Sequence, residues 1–187
     1  MTPLLAPTAV RYRILTRGSY TPAVTEQAWL GFPPAVARAG DEPYTKVASN
    51  TDATVPIGVY ARLGVPMETT VFERVRTQGA VVDGQAVPIQ LATSWYPLDV
   101  VRLVPEIRRS PHLDPPPVRH RMIATGRLIH AESTTCGRFA TGEERAQLRL
   151  PDPAVVLQTW RVWKDEQDRV VEVTRIVDDA RWVEVSY

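Results

Sequence analysis

TTVFERVRT, residues 69–77, is the stretch of the sequence that most constrains the fold. It is rich in β-branched residues and alternates in character, which predicts a β-strand. Strand side chains repeat every two residues, so Phe72, Arg74 and Arg76 share one face and Glu73 lies on the other. We therefore predict a strand that presents two arginines on the same side.

A second strand is expected to follow and to pair with the first. VPIQLATSWY, residues 87–96, has the composition of a strand. Between the two stretches, Gly79 and the pair Asp83-Gly84 supply residues typical of turns. The sequence predicts a hairpin whose connection is longer than the minimum.

Two helices have recognisable ends. Residues 55–63 carry apolar residues at helical spacing, and Gly64 follows as expected of a helix C-terminus. Residues 141–148 begin with the spacing of a capping box, in which Thr141 and Glu144 bond each other's backbone amides. We predict a short helix at each place.

The C-terminal part of the sequence predicts three strands. Residues 154–163 are apolar on both faces, which is typical of a strand inside a sheet. The polar run 164–169 reads as a hairpin loop, and residues 170–177 and 182–187 as returning strands. We expect the three strands to form an antiparallel meander.

The N-terminal residues 1–51 are weakly patterned. Residues 10–15 alternate as a strand would, and residues 31–42 are punctuated by proline and glycine as in a loop. The successive amphipathic helices of a helix-turn-helix are not recognisable here. We expect an N-terminal extension or linker over 1–51, followed by one domain over 52–187.

Composition excludes several classes of function. The 187 residues carry a net charge of +1, so no general field attracts nucleic acid or an anionic membrane. No apolar stretch approaches the length of a membrane span, about 18 residues, and we expect a cytoplasmic protein without a membrane partner.

The single cysteine excludes an intrachain disulfide. The three histidines lack metal-ligand spacing, and no phosphate-binding glycine loop is found. We predict no metal and no cofactor.

The ordered set of motifs resembles a known domain. YARLGVPMETTVFERVR (60–76) and VPIQLATSWYP (87–97) resemble the first half of the UTRA (UbiC transcription regulator-associated) domain of GntR-superfamily, HutC-subfamily transcription regulators. ATGEERAQLRLPDPAVVLQTWRVWKDEQDRVVEV (140–173) resembles its second half. The resemblance covers about residues 52–187.

This resemblance implies a fold and a function. The fold is α+β and chorismate lyase-like, an antiparallel sheet flanked by short helices, in a homodimer. The function is to bind a small polar or anionic metabolite as effector. In the family, DNA is contacted through a winged helix-turn-helix domain, which is not seen in this chain.

The arginine pair is the leading candidate for the ligand site. Arg74 and Arg76 match the Arg-x-Arg strand that in the family meets the anionic part of the effector. Two forked guanidinium groups on one side suit a phosphate or a carboxylate. The alternative is a solvated strand face on which nearby acids neutralise the arginines.

Further candidates are more open. Glu172 matches a family acid that accepts ligand hydroxyls, although an outward strand carboxylate is the alternative. Ala92 stands where the family often keeps an acid, and Ser94 and Trp95 are the polar and aromatic candidates nearby. Ser110 is the only match to the family's hydroxyl-bearing segment. The predicted ligand-binding residues are thus Arg74, Arg76, Ser94, Trp95, Ser110 and Glu172.

The departure at Ala92 indicates an effector that is less charged or more aromatic than an amino sugar phosphate. Four tryptophans on or beside the predicted sheet support this idea, although each is more often a core residue. They are Trp95, Trp160, Trp163 and Trp182.

Three functions are compatible with these observations. The first is an effector-binding and dimerisation domain of a regulator, without catalytic residues. The second is a chorismate lyase-like enzyme acting on a small carboxylate, which would use the same arginines and Glu172. The third is DNA binding through an unrecognised N-terminal segment. Fold alone does not decide among them.

Overall fold

A six-stranded antiparallel sheet dominates the fold. The computed structural model describes residues 12–15, 32–109 and 129–186. The strands, in chain order, are β1 (Tyr12–Leu15), β2 (Glu42–Thr54), β3 (Thr70–Val82), β4 (Gln85–Pro97), β5 (Ile129–Phe139), β6 (Val155–Asp165), β7 (Val170–Asp179) and β8 (Val183–Ser186). The helices are α1 (Phe32–Arg38), α2 (Tyr60–Leu63), α3 (Leu98–Leu103), α4 (Glu106–Arg109) and α5 (Gly142–Leu148). The sheet order is β2-β3-β4-β7-β6-β5.

The predicted hairpin is present as β3 and β4, but its connection is shorter than expected. Only Asp83 and Gly84 join the strands, with φ angles of 51° and 73°. Positive φ at both central residues fits the two-residue type I′ turn, for which Asp-Gly is well suited. Gly79 belongs to β3 rather than to the turn. Glycine is required there because a Cβ would lie 1.9 Å from the carbonyl oxygen of Val87. The prediction of a longer connection was wrong.

The helices differ from prediction at two places. A helix, α1, occupies residues that were predicted to be a loop, and it buries Phe32, Ala35 and Val36 at helical spacing. Its prolines fall in the first turn, where a missing N–H costs little. The second difference is α2, which covers only four residues of the predicted stretch 55–63. Its end at Gly64, with φ of 67°, is confirmed.

The last strand does not join the predicted meander. β6 and β7 pair antiparallel as expected, but the third member of that meander is β5, on the other side of β6. β8 instead pairs parallel with β1 in a separate two-stranded sheet. The prediction of a strand over residues 10–15 is confirmed by β1. The predicted division between residues 51 and 52 falls inside β2, so residues on both sides of it build one edge strand.

Each face of the large sheet packs against short helices. On the face that carries Phe72, Arg74 and Arg76, called the arginine face below, α3 and α4 cover one end and pack on Phe72 and Trp163. On the opposite face, called the tryptophan face because it carries Trp95 and Trp160, α2 packs beside these rings. Burial of this apolar surface is the main term that holds the helices to the sheet.

A bidentate ion pair fixes α5 to strand β5. The predicted capping box is confirmed: the Glu144 amide donates to Thr141 Oγ1 at 3.2 Å, and the Thr141 amide donates to Glu144 Oε2 at 2.9 Å. Both Glu144 oxygens also accept from Arg138, at 2.6 and 2.7 Å. The bonds from Arg138, aided by those at Thr141, lower the pKa of Glu144 to about 2.

We predict that Glu144→Gln lowers the free energy of unfolding by about 2 kcal/mol at pH 7, since bonds to a charged group are lost. The pKa of Glu144 is lower in the folded chain than in the unfolded chain. Its contribution is therefore complete above about pH 4.5 and is lost as the pH falls toward about 2. Urea unfolding at pH 7 and at pH 3 measures both effects.

Glu143→Gln is the matched control for this experiment. Glu143 lies in the same helical turn but is exposed and bonds only the Gln147 side chain. It should change stability by less than about 0.5 kcal/mol. Equal losses in the two variants, or a loss at Glu144 that is unchanged at pH 3, would contradict the assignment.

Candidate functional site

The arginine face gathers buried polar side chains at its centre. In register across the strands, Arg74 of β3 lies opposite Ser94 of β4, and Ser94 lies opposite Thr174 of β7. Arg76 lies two residues further along β3 on the same face. Arg74 is 1% exposed and Arg76 is 6% exposed, so the solvated strand face considered above does not apply.

Ser94 links the arginine strand to a carboxylate. Arg76 Nη2 donates to Ser94 Oγ at 2.8 Å, and Ser94 Oγ donates to Glu172 Oε1 at 3.0 Å. Thr174 Oγ1 donates to the same Glu172 oxygen at 2.7 Å. Glu172 is fully buried, so the outward orientation considered for it is wrong. Four strand residues thus form one hydrogen-bonded network.

Arg76 is the exceptional member of this network. Among the described residues it has no carboxylate partner, and its Nε has no hydrogen-bond partner at all. Its neighbour in register on β4 is Ala92, which brings no carboxylate to it. A buried guanidinium held by one neutral hydroxyl is poorly compensated. The arrangement offers a fixed positive charge with unused donor capacity to an anion.

Three more polar residues extend the face beyond Arg76. Gln78, Gln90 and Asp178 lie side by side on β3, β4 and β7, and all three are buried. Gln90 Nε2 donates to Asp178 Oδ1 at 2.6 Å. Burial, with a smaller contribution from the neighbouring Asp179, outweighs the lowering effect of Gln90 and Arg161 and raises the pKa of Asp178 to about 7.

These three residues were not predicted from the sequence as part of the site. Strand alternation alone places Gln78 on the face of Arg76 and could have found it. Asp178 was missed because the predicted strand ended at residue 177, two positions before the observed end at Asp179. Its pairing with Gln90 depends on the contact between β4 and β7, which are far apart in the chain.

The structure groups four of the six predicted site residues: Arg74, Arg76, Ser94 and Glu172. Trp95 does not join them, because it lies on the tryptophan face and its indole Nε1 donates to Glu73 Oε2 at 2.8 Å. Ser110 lies outside the described residues. Whether any of these side chains binds a ligand stays a prediction.

The other tryptophans also lie away from Arg76. Trp160 stacks on Trp95 at 6.2 Å between ring centroids, on the tryptophan face. Trp163 is buried in the core under α3, and Trp182 stacks on Tyr12 at 6.1 Å. None of the four provides an aromatic platform beside Arg76.

Neither a metal-binding cluster nor a membrane-spanning helix is found in the described part of the chain. Over residues 12–15, 32–109 and 129–186, no group of three or more histidine, cysteine, aspartate or glutamate side chains is placed to hold a metal ion. Within the same ranges, no helix has the length and apolar character to cross a membrane.

Comparison with solved structures places the fold. PhnF from Mycobacterium smegmatis matches 95% of this chain and 72% of its own, with a TM-score of 0.70 and 16% identity. A GntR-family transcriptional regulator matches 96% of this chain and 69% of its own, with a TM-score of 0.72 and 23% identity. The effector domain of PhnF from Mycobacterium smegmatis matches 84% of this chain and 93% of its own, with a TM-score of 0.65 and 19% identity. The expected α+β, chorismate lyase-like fold is thereby confirmed.

Sequence comparison identifies the family. No curated protein sequence matches the chain. A family model described as the UTRA domain matches residues 38–178 of the 187, which is well over half of the length. This match shows that the chain belongs to the UTRA domain family.

Proposed function

We propose that the chain is the effector-binding domain of a bacterial transcription regulator of the GntR superfamily, HutC branch. Its effector is a small anionic metabolite that binds on the arginine face. The observation that carries this proposal is Arg76, which is buried with no carboxylate partner among the described residues. An effector anion would complete the coordination of that guanidinium and compensate its charge.

The surroundings of Arg76 define the chemistry of the ligand. Arg74 lies on the same face and adds a second cation for a phosphate or a carboxylate. Glu172 is an acceptor for ligand hydroxyl groups, next to Ser94. The Gln90–Asp178 pair adds donors and acceptors further along the face. We infer a compact ligand with one anionic group and several hydroxyl or amide groups.

The absence of an acid at position 92 separates this effector from those of relatives that keep one. With Ala92 opposite Arg76, no carboxylate is available from β4 for a ligand ammonium or hydroxyl at that point. The aromatic effector suggested by the tryptophans is not favoured on this face, since none of the four lies beside Arg76. A hydroxylated anion fits better.

Family membership and the regulator relatives do not favour the lyase alternative, and we propose that the chain has no catalytic activity. The effector acts by linkage: it binds one arrangement of the protein better and shifts the population toward it. We propose that this shift reaches DNA through a separate winged helix-turn-helix domain, that the UTRA domain forms a homodimer, and that the protein is cytoplasmic.

We predict that at least one compound in a screen of phosphorylated sugars, hydroxy acids and inorganic phosphate raises the melting temperature of the chain by mass action. Arg76→Gln should weaken binding of that compound by about 10- to 100-fold, the effect of losing hydrogen bonds to a charged group. Isothermal titration calorimetry measures the loss. Without ligand, the variant should be as stable as the wild type, because an uncompensated buried charge is removed.

Arg102→Gln is the control, since Arg102 is an exposed arginine on α3. It should leave both affinity and stability unchanged. Two results would contradict the proposal: no anionic compound in the screen shifts the melting temperature, or Arg76→Gln and wild type bind the stabilising compound equally well.

We further predict that sulfate, which does not titrate between pH 6 and 8, binds more weakly as the pH rises through about 7. Asp178 is neutral below that pH and negative above it, and a negative charge on the same face repels the anion. The loss should be about two- to threefold, the effect of one solvent-screened unit charge. In Asp178→Asn the affinity should stay flat over the same range; a parallel decline in both proteins would contradict the assignment.

A further inference from the structure

The tryptophan face carries a cleft that the arginine face does not share. Its volume is about 490 Å³, and it opens between α5 and the segment just before α2, which contributes Pro56, Gly58 and Val59. The strands supply its floor, which includes Val75, Leu91, Thr93, Trp95, Trp160 and Arg175. Small-molecule pockets in proteins span roughly 300–1,000 Å³, so the cleft has room for a metabolite.

The acids that line the cleft are already engaged. Glu73 accepts from the Trp95 indole at 2.8 Å. Glu144 accepts two bonds from the Arg138 guanidinium, one on each carboxylate oxygen. Glu143 is exposed at the rim and bonds Gln147. None of the three forms an ion pair with the cation of the cleft.

That cation is Arg175. It projects from β7 between Thr93 and Trp160, its neighbours in register, and it is half-buried. Over the described residues it forms neither a hydrogen bond nor an ion pair. Arg175 is thus the cation in the lining of the cleft, and an anionic ligand could form an ion pair with it.

The walls beside Arg175 are aromatic and aliphatic. Trp95 and Trp160 stack at 6.2 Å between centroids. The Arg62 guanidinium lies 4.3 Å from the centroid of Trp160 on the α2 side. Val75 and Leu91 add apolar floor. A flat apolar body gains from burial against these rings.

We propose that this cleft is a second small-molecule site, which binds an aromatic carboxylate with its anion on Arg175 and its ring against Trp95. The arrangement matches the pattern of a ligand site, a mostly apolar concavity with a few polar groups that fix orientation. The proposal does not depend on the effector of the arginine face. Residues of the two sites alternate along the same strands, so each site has substitutions that leave the other intact.

Isothermal titration of the 187-residue chain with benzoate, phenylacetate and indole-3-acetate tests the proposal. At least one acid should bind saturably and change the tryptophan fluorescence. The corresponding amide, which has the same ring but no charge, should bind at least about tenfold more weakly, because the bond to Arg175 loses its charge. This comparison requires no variant and so does not depend on the folding of one.

Variants then locate the site. Arg175→Gln should weaken binding of the acid by at least about tenfold. Arg76→Gln and the exposed control Arg102→Gln should bind it as the wild type does. The proposal is overturned if none of the three acids saturates below about 10 mM, if acid and amide bind equally, or if Arg76→Gln rather than Arg175→Gln abolishes binding.

Discussion

A guanidinium buried in a sheet without a carboxylate is the constraint from which this account follows. Arg76 bonds Ser94, Ser94 bonds Glu172, and Arg76 has no carboxylate partner among the described residues. Buried charges rarely lack an oppositely charged partner, because desolvation costs several kcal/mol per ion. This unfavourable desolvation occurs at the centre of the largest sheet, where the packing of the neighbouring strands keeps β3 in place. That is the expected pattern of a binding site, at which stability is given up for recognition.

The sheet also explains how two chemistries occupy one small domain. Strands β3, β4 and β7 alternate their side chains between the faces, so Ser94 faces Arg76 while its neighbours Thr93 and Trp95 face the cleft. The short helices cover only part of each face: α3 and α4 pack at one end of the arginine face, and α2 packs beside the tryptophans. A buried polar network and an aromatic cleft therefore lie on opposite faces of the same strands.

The features that could be predicted from the sequence are those with local causes. The capping box at Thr141, the end of α2 at Gly64 and the Arg-x-Arg strand each depend on residues within a few positions of one another. Alternation also placed Arg74 and Arg76 together. The same alternation places Ser94 and Trp95 on opposite faces of the sheet, which the sequence alone could have shown.

The features that were missed depend on distant contacts. The last strand pairs with β1, and Tyr12 at the start of β1 stacks on Trp182 just before β8. The local pattern of the sequence does not contain this distant contact. The helix α1 was not predicted because its two prolines are typical of a loop, although the first turn of a helix tolerates them. The partner of Asp178 comes from a strand 88 residues away in the chain. Resemblance to the family supplied the order of elements, but not the registers that bring these side chains together.

The side-chain Nε–H resonance of Arg76, followed by ¹⁵N-resolved NMR while inorganic phosphate is added, tests the central claim most directly. We predict a saturable shift of this resonance, because the Nε–H has no hydrogen-bond partner before the anion binds. The exposed Arg102 should show no saturable shift. An Arg76 resonance that stays fixed at saturating phosphate and in the presence of phosphorylated sugars would contradict the account.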